Sequence, residues 1–320
     1  MSEHKNALLT LPVVLFMILF AVFSEKYARV TLNGIKLWAF NILPSVFPYF
    51  VFTALLTSLG SAARLAARCG KVTKKIFGCG GMSGYAFFIA AVSGYPGGSK
   101  ITAELYAKNL ISEREAYKMS GFCSLSSPLF ILGTVGGMIL KDAAAGFALL
   151  AAHVGAVLLT AVILRGKKSA NADTAVPVKT HTADNLIYEA VYESVLSVLV
   201  LGGIVTIFFV AIEMLSDIGA FYLPERLFTL LFGDADLARG FAFGLVECTT
   251  GIFAAAQSSS PLLLPVIGFL LSFGGFSVMT QSCVFLKKAK IKTARFFLSK
   301  TLHAVITFAI LFILCSLTRL

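Results

Sequence analysis

The segment Ser93-Gly94-Tyr95-Pro96-Gly97-Gly98-Ser99-Lys100 holds the first residues whose types and spacing suggest chemistry. Proline removes a backbone donor and glycine permits positive φ, so no helix runs straight through. A short polar helix over Lys100–Asn109 then turns its free N–H groups and partial positive charge back on the break. Such an end suits an anionic group, and Lys100 adds its own charge. The plainer alternative is a surface loop with Lys100 in water. A phosphate-binding P-loop is excluded, because the G-x-x-x-x-G-K-[ST] spacing is absent.

Three further clusters follow the same logic. Ser124-Leu125-Ser126-Ser127-Pro128 combines hydroxyls with a helix breaker; Ser124, Ser126 and Ser127 can face a solute or bond back to their own helix. Glu247, followed by Thr249, lies inside the apolar run Phe241–Ala256, and an ionisable group at membrane depth points to function. It can pair with Lys100, take a coupling proton, bind a cation, or form a structural ion pair at a helix end. Ser272-Phe273-Gly274-Gly275-Phe276-Ser277 with Thr280 and Gln281 gives a second break weakened by glycine and rich in hydroxyls. Enzyme chemistry is not expected: no HExxH, CxxC or nucleophile–base pairing stands out among the four histidines and six cysteines, and no metal or cofactor is implied.

The elements that carry these clusters read as membrane helices. Of 320 residues, 58% are apolar and 13% charged, against roughly 25% charged in a soluble domain, and the mean hydropathy is +0.86. The runs Leu8–Phe23, Asn41–Leu59, Ala143–Leu164, Val191–Leu215, Leu262–Leu286 and Phe296–Leu317 approach the ~20 residues of a span. The first is expected to be retained, since no small-x-small cleavage site follows it. The net charge of +11 is concentrated in three basic loops, Arg64–Lys75, Arg165–Lys179 and Lys287–Lys300, which positions them and the N-terminus in the cytoplasm. The acidic loop Ser216–Arg239 is expected outside. Nucleic acid is not an expected partner; the lipid bilayer is.

Ser112-Glu113-Arg114-Glu115 is a capping box opening a new helix, so residues 99–118 read as a polar helix-turn-helix in which Glu104 and Lys108 can pair. With residues 119–140 as a further crossing, the chain reads as about seven crossings plus two re-entrant elements, near 76–98 and 241–257. Weak matches recur about 150 positions apart: Leu43-Pro44-Ser45-Val46 with Val195-Leu196-Ser197-Val198, Phe122–Ser126 with Phe273–Ser277, and His153 with His303, both placed at the start of a last long helix. The loop charges run the two halves in opposite directions, the inverted plan common in secondary transporters. The expected division is an N-terminal transmembrane helix (1–33), a first repeat (34–165), a cytoplasmic linker (166–184) and a second, inverted repeat (185–320). Gly133-x-x-x-Gly137 and Gly240-x-x-x-Gly244 permit close helix packing, and the oligomeric state is left open.

The block from Ser93 to Lys100, with Glu104-Leu105-Tyr106, Leu110-Ile111-Ser112, Glu115-Ala116, Phe122-Cys123 and Ser127-Pro128-Leu129-Phe130-Ile131, resembles the sporulation integral membrane protein family (YlbJ-like, or SpoVV-like), which carries the nucleoside-recognition Gate domain. The resemblance implies an all-α polytopic protein with inverted repeats and re-entrant hairpins, akin to concentrative nucleoside transporters. It also implies a bacterial cell membrane or forespore membrane, sporulation proteins as partners, and transport of dipicolinate, a small aromatic dianion. On that reading Lys100 meets a carboxylate and Tyr95 or Phe122 stacks on the ring. A nucleoside or nucleobase carrier using Gln281, Thr249 and Ser126, and a non-transporting scaffold, are the alternatives.

Overall fold

The computed structural model describes residues 2–59, 61–166 and 185–318. The expected linker and the basic loop beyond Gly166 therefore lie outside the described residues. Among these the chain is helical throughout, with no strand.

The first half begins with α1 (Ser2–Val22), α2 (Ser24–Leu37), a π-helical stretch at Trp38–Ile42 and α3 (Leu43–Ser58). It continues with α4 (Ser61–Ile76), α5 (Gly81–Ser93), α6 (Gly97–Ala107), α7 (Glu113–Phe122), a π-helical stretch at Leu129–Ile139 and α8 (Ala143–Ile163). The second half holds α9 (Leu186–Asp217), α10 (Tyr222–Phe232), α11 (Ala235–Val246) and α12 (Cys248–Ala255). It ends with α13 (Leu263–Phe273), α14 (Gly275–Lys288) and α15 (Ala294–Thr318).

Among the described residues four spans are long and apolar enough to cross a membrane: α8, α9, α13 with α14, and α15. The number rises to six if each of two bent helix pairs counts as one span. The other expected crossings depart from single long helices. The helix at 10–22 turns by 107° into α2, a bend the sequence reading did not place. In the Asn41–Leu59 run, Pro44 and Pro48 remove two backbone donors next to the π-helical turn, and the apolar helix shortens to Val46–Leu56. Residues 119–140 are interrupted at Ser124–Pro128, leaving only Leu129–Ile139. Many large apolar side chains face outward, among them Phe40 at 75% and Leu230 at 86% exposure, as lipid-facing surface requires.

Both charged loops are in fact helical. Arg64–Lys75 lies in α4, and Ser216–Arg239 contains α10 and the start of α11. Lysine, arginine and leucine side chains favour helix; α4 packs on α5 and α10 on α11.

From Leu43 onward the first half passes through the same element order as the second. Gly97 and Cys248 open helices after a break, Glu113 and Leu263 open the next, and Ala143 and Ala294 open the last. The spacing matches that of His153 and His303, 150 positions apart. Those two histidines sit in mid-helix, a correction to their expected position at helix starts, because α8 and α15 begin well before them. The halves also interlock: α7 packs on α15, α13 on α8, and α8 on α15. The N-terminal helices attach separately, through Lys26 to Asp217 (2.6 Å) and Glu213 (3.2 Å) and Tyr27 Oη to Asp217 (2.7 Å).

Candidate functional site

Four interruptions of helix meet inside the molecule. In the first half α5 stops at Ser93 and α6 restarts at Gly97, and α7 stops at Phe122 before the turn through Pro128. In the second, α11 and α12 are separated at Glu247, and α13 and α14 at Gly274. Within each half the two breaks touch backbone to backbone. A Cβ on Gly94 would stand 2.7 Å from Ser127 N. One on Gly275 would stand 2.7 Å from Gly244 O and 3.0 Å from Val246 O. Gly94 has φ +71 and Gly275 φ +69, backbone that L side chains rarely adopt. A Cβ on Gly98 would overlap Cys123 O, and one on Gly97 would overlap Ser93 Oγ. The Tyr95–Pro96 peptide is cis.

Between these breaks lies a cavity of about 100 Å³. Ser93, Gly94, Tyr95, Ser126, Ser127, Glu247, Thr249 and Gln281, all named from sequence, line it together with apolar residues such as Ile42, Val46 and Phe130. Residues spread over more than half the chain thus converge on one space. Its volume is below the ~300 Å³ at which small-molecule sites begin.

Several residues are positioned differently from expectation. Lys100 does not line this cavity; it lies in a separate niche, 3.9 Å from Glu104 and 4.4 Å from the Phe50 ring centroid. The reason is helix phase: α6 begins three residues earlier than expected, which rotates Lys100 toward α3. Glu104 accordingly meets Lys100 and not Lys108, which is exposed. Glu247 does not pair with Lys100. Its carboxylate caps α12, accepting from Thr249 N (3.0 Å), Thr250 N (2.7 Å) and Thr250 Oγ1 (2.8 Å). Thr280 is exposed, whereas Ser277 and Gln281, one turn apart, are buried and bonded at 3.2 Å. Thr280 is rotated ~100° from Gln281 and so leaves that face. Phe122 is a core residue stacked on Phe77 at 4.3 Å. Pro96, Gly97 and Gly98 build the break without lining the cavity, and Ser124 contributes its carbonyl elsewhere.

Behind the cavity is a buried polar network that sequence reasoning missed. Ser126 N donates to His153 Nε2 at 2.9 Å, which leaves the ring proton on Nδ1, facing Ser272 Oγ at 2.8 Å. Ser272 Oγ meets Thr307 Oγ1 at 2.7 Å, and Thr307 donates to His303 O at 2.8 Å. His303 Nε2 reaches His153 O at 2.9 Å, with the two rings 4.5 Å apart. Lys300, fully buried in α15, lies 4.5 Å from the Tyr95 ring centroid and 3.4 Å from Ser124 O. Tyr95 Oη in turn donates to Leu271 O. The equivalence of His153 and His303 was a signal for this network; Lys300 read as the last charge of a basic loop.

The predicted helix-turn-helix is present and holds α5 in place. Ser112 and Glu115 form the capping box, and Glu115 also accepts from Gly80 N at 2.8 Å, at the start of α5. Lys118 donates to Gly78 O at 3.0 Å; burial pushes its ammonium below the ordinary lysine range. Among the described residues no group of three His, Cys, Asp or Glu side chains is arranged to hold a metal ion.

Apolar spans, interlocked halves and breaks meeting at an internal cavity define an all-α, multi-pass integral membrane protein. The chain is 27% identical over 301 residues to sporulation integral membrane protein YlbJ of Bacillus subtilis (strain 168), covering 85% of this chain and 74% of that protein. This similarity supports a YlbJ-like sporulation membrane protein. No family model matches the chain, and no solved structure does.

Proposed function

We propose that the protein carries a small aromatic anion, dipicolinate, across a membrane during spore formation. The observation behind this reading is that three helix breaks line one cavity while the fourth packs against the third, since backbone broken at membrane depth is tolerated where it borders a path or a buried site. The cavity offers Tyr95 as an aromatic wall and Ser126, Ser127 and Thr249 as hydroxyls. The membrane would be the cell or forespore membrane, with the N-terminus in the cytoplasm, and the two halves would be inverted repeats. Sporulation membrane proteins are the proposed partners, and no catalytic step is assigned.

One observation favours a second solute. Glu247 and Gln281 both border the cavity, and a carboxylate beside an amide suits the hydroxyls and ring nitrogens of an uncharged nucleoside. Uptake of labelled dipicolinate and of uridine into proteoliposomes holding the purified protein separates the readings. Dipicolinate flux without uridine flux supports the proposal. Uridine flux alone moves the assignment to a nucleoside carrier. Absence of both overturns transport and leaves a scaffold.

A further inference from the structure

The small-anion reading needs a positive charge at the cavity, and Lys100 does not supply it. Lys300 is the cation beside the site. Its side chain is fully buried in α15, a membrane-spanning helix. Among the described residues no carboxylate pairs with it. An uncompensated ammonium at such depth costs several kcal/mol, and an apolar residue of similar length would avoid that cost.

The contacts Lys300 does make are weak. One is to Ser124 O at 3.4 Å, longer than an ordinary hydrogen bond. The other is the face of Tyr95 at 4.5 Å. An ammonium has three donors, so capacity remains for a stronger acceptor. The close approach of α15 that brings Lys300 here depends on Gly121, where a Cβ would overlap Ser299 Oγ. Tyr95 lines the cavity and belongs to the Gly94–Pro96 break. Its ring, held by Leu271 O, lies against the lysine.

We propose that Lys300 is the counter-charge for the transported anion: when the Tyr95 ring moves aside, the ammonium joins the cavity and binds one carboxylate of the solute. This rests on the small-anion reading. A carboxylate replaces an aromatic face and a long carbonyl contact with a charge-assisted hydrogen bond, so solute binding itself drives the rearrangement. The same step enlarges a cavity otherwise too small for a ring.

The test is the concentration dependence of dipicolinate uptake by proteoliposomes holding wild type, K300Q and K300R, with melting temperatures measured in detergent. K300Q removes the charge while keeping an N–H donor on a slightly shorter side chain. The expected result is a rise of about tenfold to a hundredfold in half-saturating dipicolinate for K300Q, an unchanged melting temperature, and recovery in K300R. Wild-type concentration dependence in K300Q overturns the inference and leaves Lys300 as a structural partner of Ser124 O. A lowered melting temperature with unaltered half-saturation also overturns it. K300M is read the same way if K300Q does not fold. Absence of flux in wild type overturns the transport reading and this inference with it.

Discussion

Replacing Gly94 by alanine probes the contact between the two first-half breaks directly. Two penalties combine. The residue has φ +71 and ψ −169, a region that only glycine adopts at low cost, so alanine adds about 1–3 kcal/mol of backbone strain. Its Cβ would also stand 2.7 Å from Ser127 N and 2.8 Å from Ser127 Cβ, and overpacking of this kind costs about 1–3 kcal/mol. Together these take about 2–6 kcal/mol from a stability of about 5–15 kcal/mol, a fall in melting temperature on the order of 10 °C. Gly203, on α9, is the control, because nothing lies within 4 Å of an added Cβ there. G203A should be neutral or stabilising by up to about 1 kcal/mol, as expected for glycine to alanine in a helix. The assay is thermal unfolding of purified protein in detergent, with solute uptake in parallel. If G94A melts with wild type and keeps its flux, the two breaks do not meet as described.

Other perturbations separate the supports of the site. H153F keeps a planar aromatic ring, somewhat larger than imidazole, but strands the Ser126 N–H that now bonds Nε2 at 2.9 Å; a loss of about 1–3 kcal/mol in thermal unfolding is expected, with reduced uptake because Ser126 lines the cavity. E115A removes the capping-box acceptor and the partner of Gly80 N. It should cost about 1–3 kcal/mol and raise hydrogen exchange at Gly80 before exchange rises in α8.

The breaks were legible in the sequence because they are local chemistry: glycine, proline and hydroxyls clustered together favour interruption of a helix. Ser93–Tyr95, Ser126, Ser127, Glu247, Thr249 and Gln281 could therefore be named, and they do surround one cavity. What failed depended on phase or on tertiary contact. Moving the start of α6 from Lys100 to Gly97 was enough to send Lys100 to another niche. Lys300 shares its segment with five other basic residues from Lys287 onward, and nothing local distinguishes it from them. Its burial comes from the approach of α15 to α7 at Gly121. The bend between α1 and α2 likewise follows no proline or glycine at Val22–Ser24.

The contacts at Gly94, Gly98 and Gly275 put main chain against main chain. Side-chain substitution cannot redraw walls made that way. Under the proposed transport function, a change of cargo would proceed through side chains that line the cavity, Tyr95, Ser126, Thr249 and Gln281 among them. Descendants with different solutes should then share the three glycines and diverge at those four residues, a pattern in which the frame resists drift while the lining adapts.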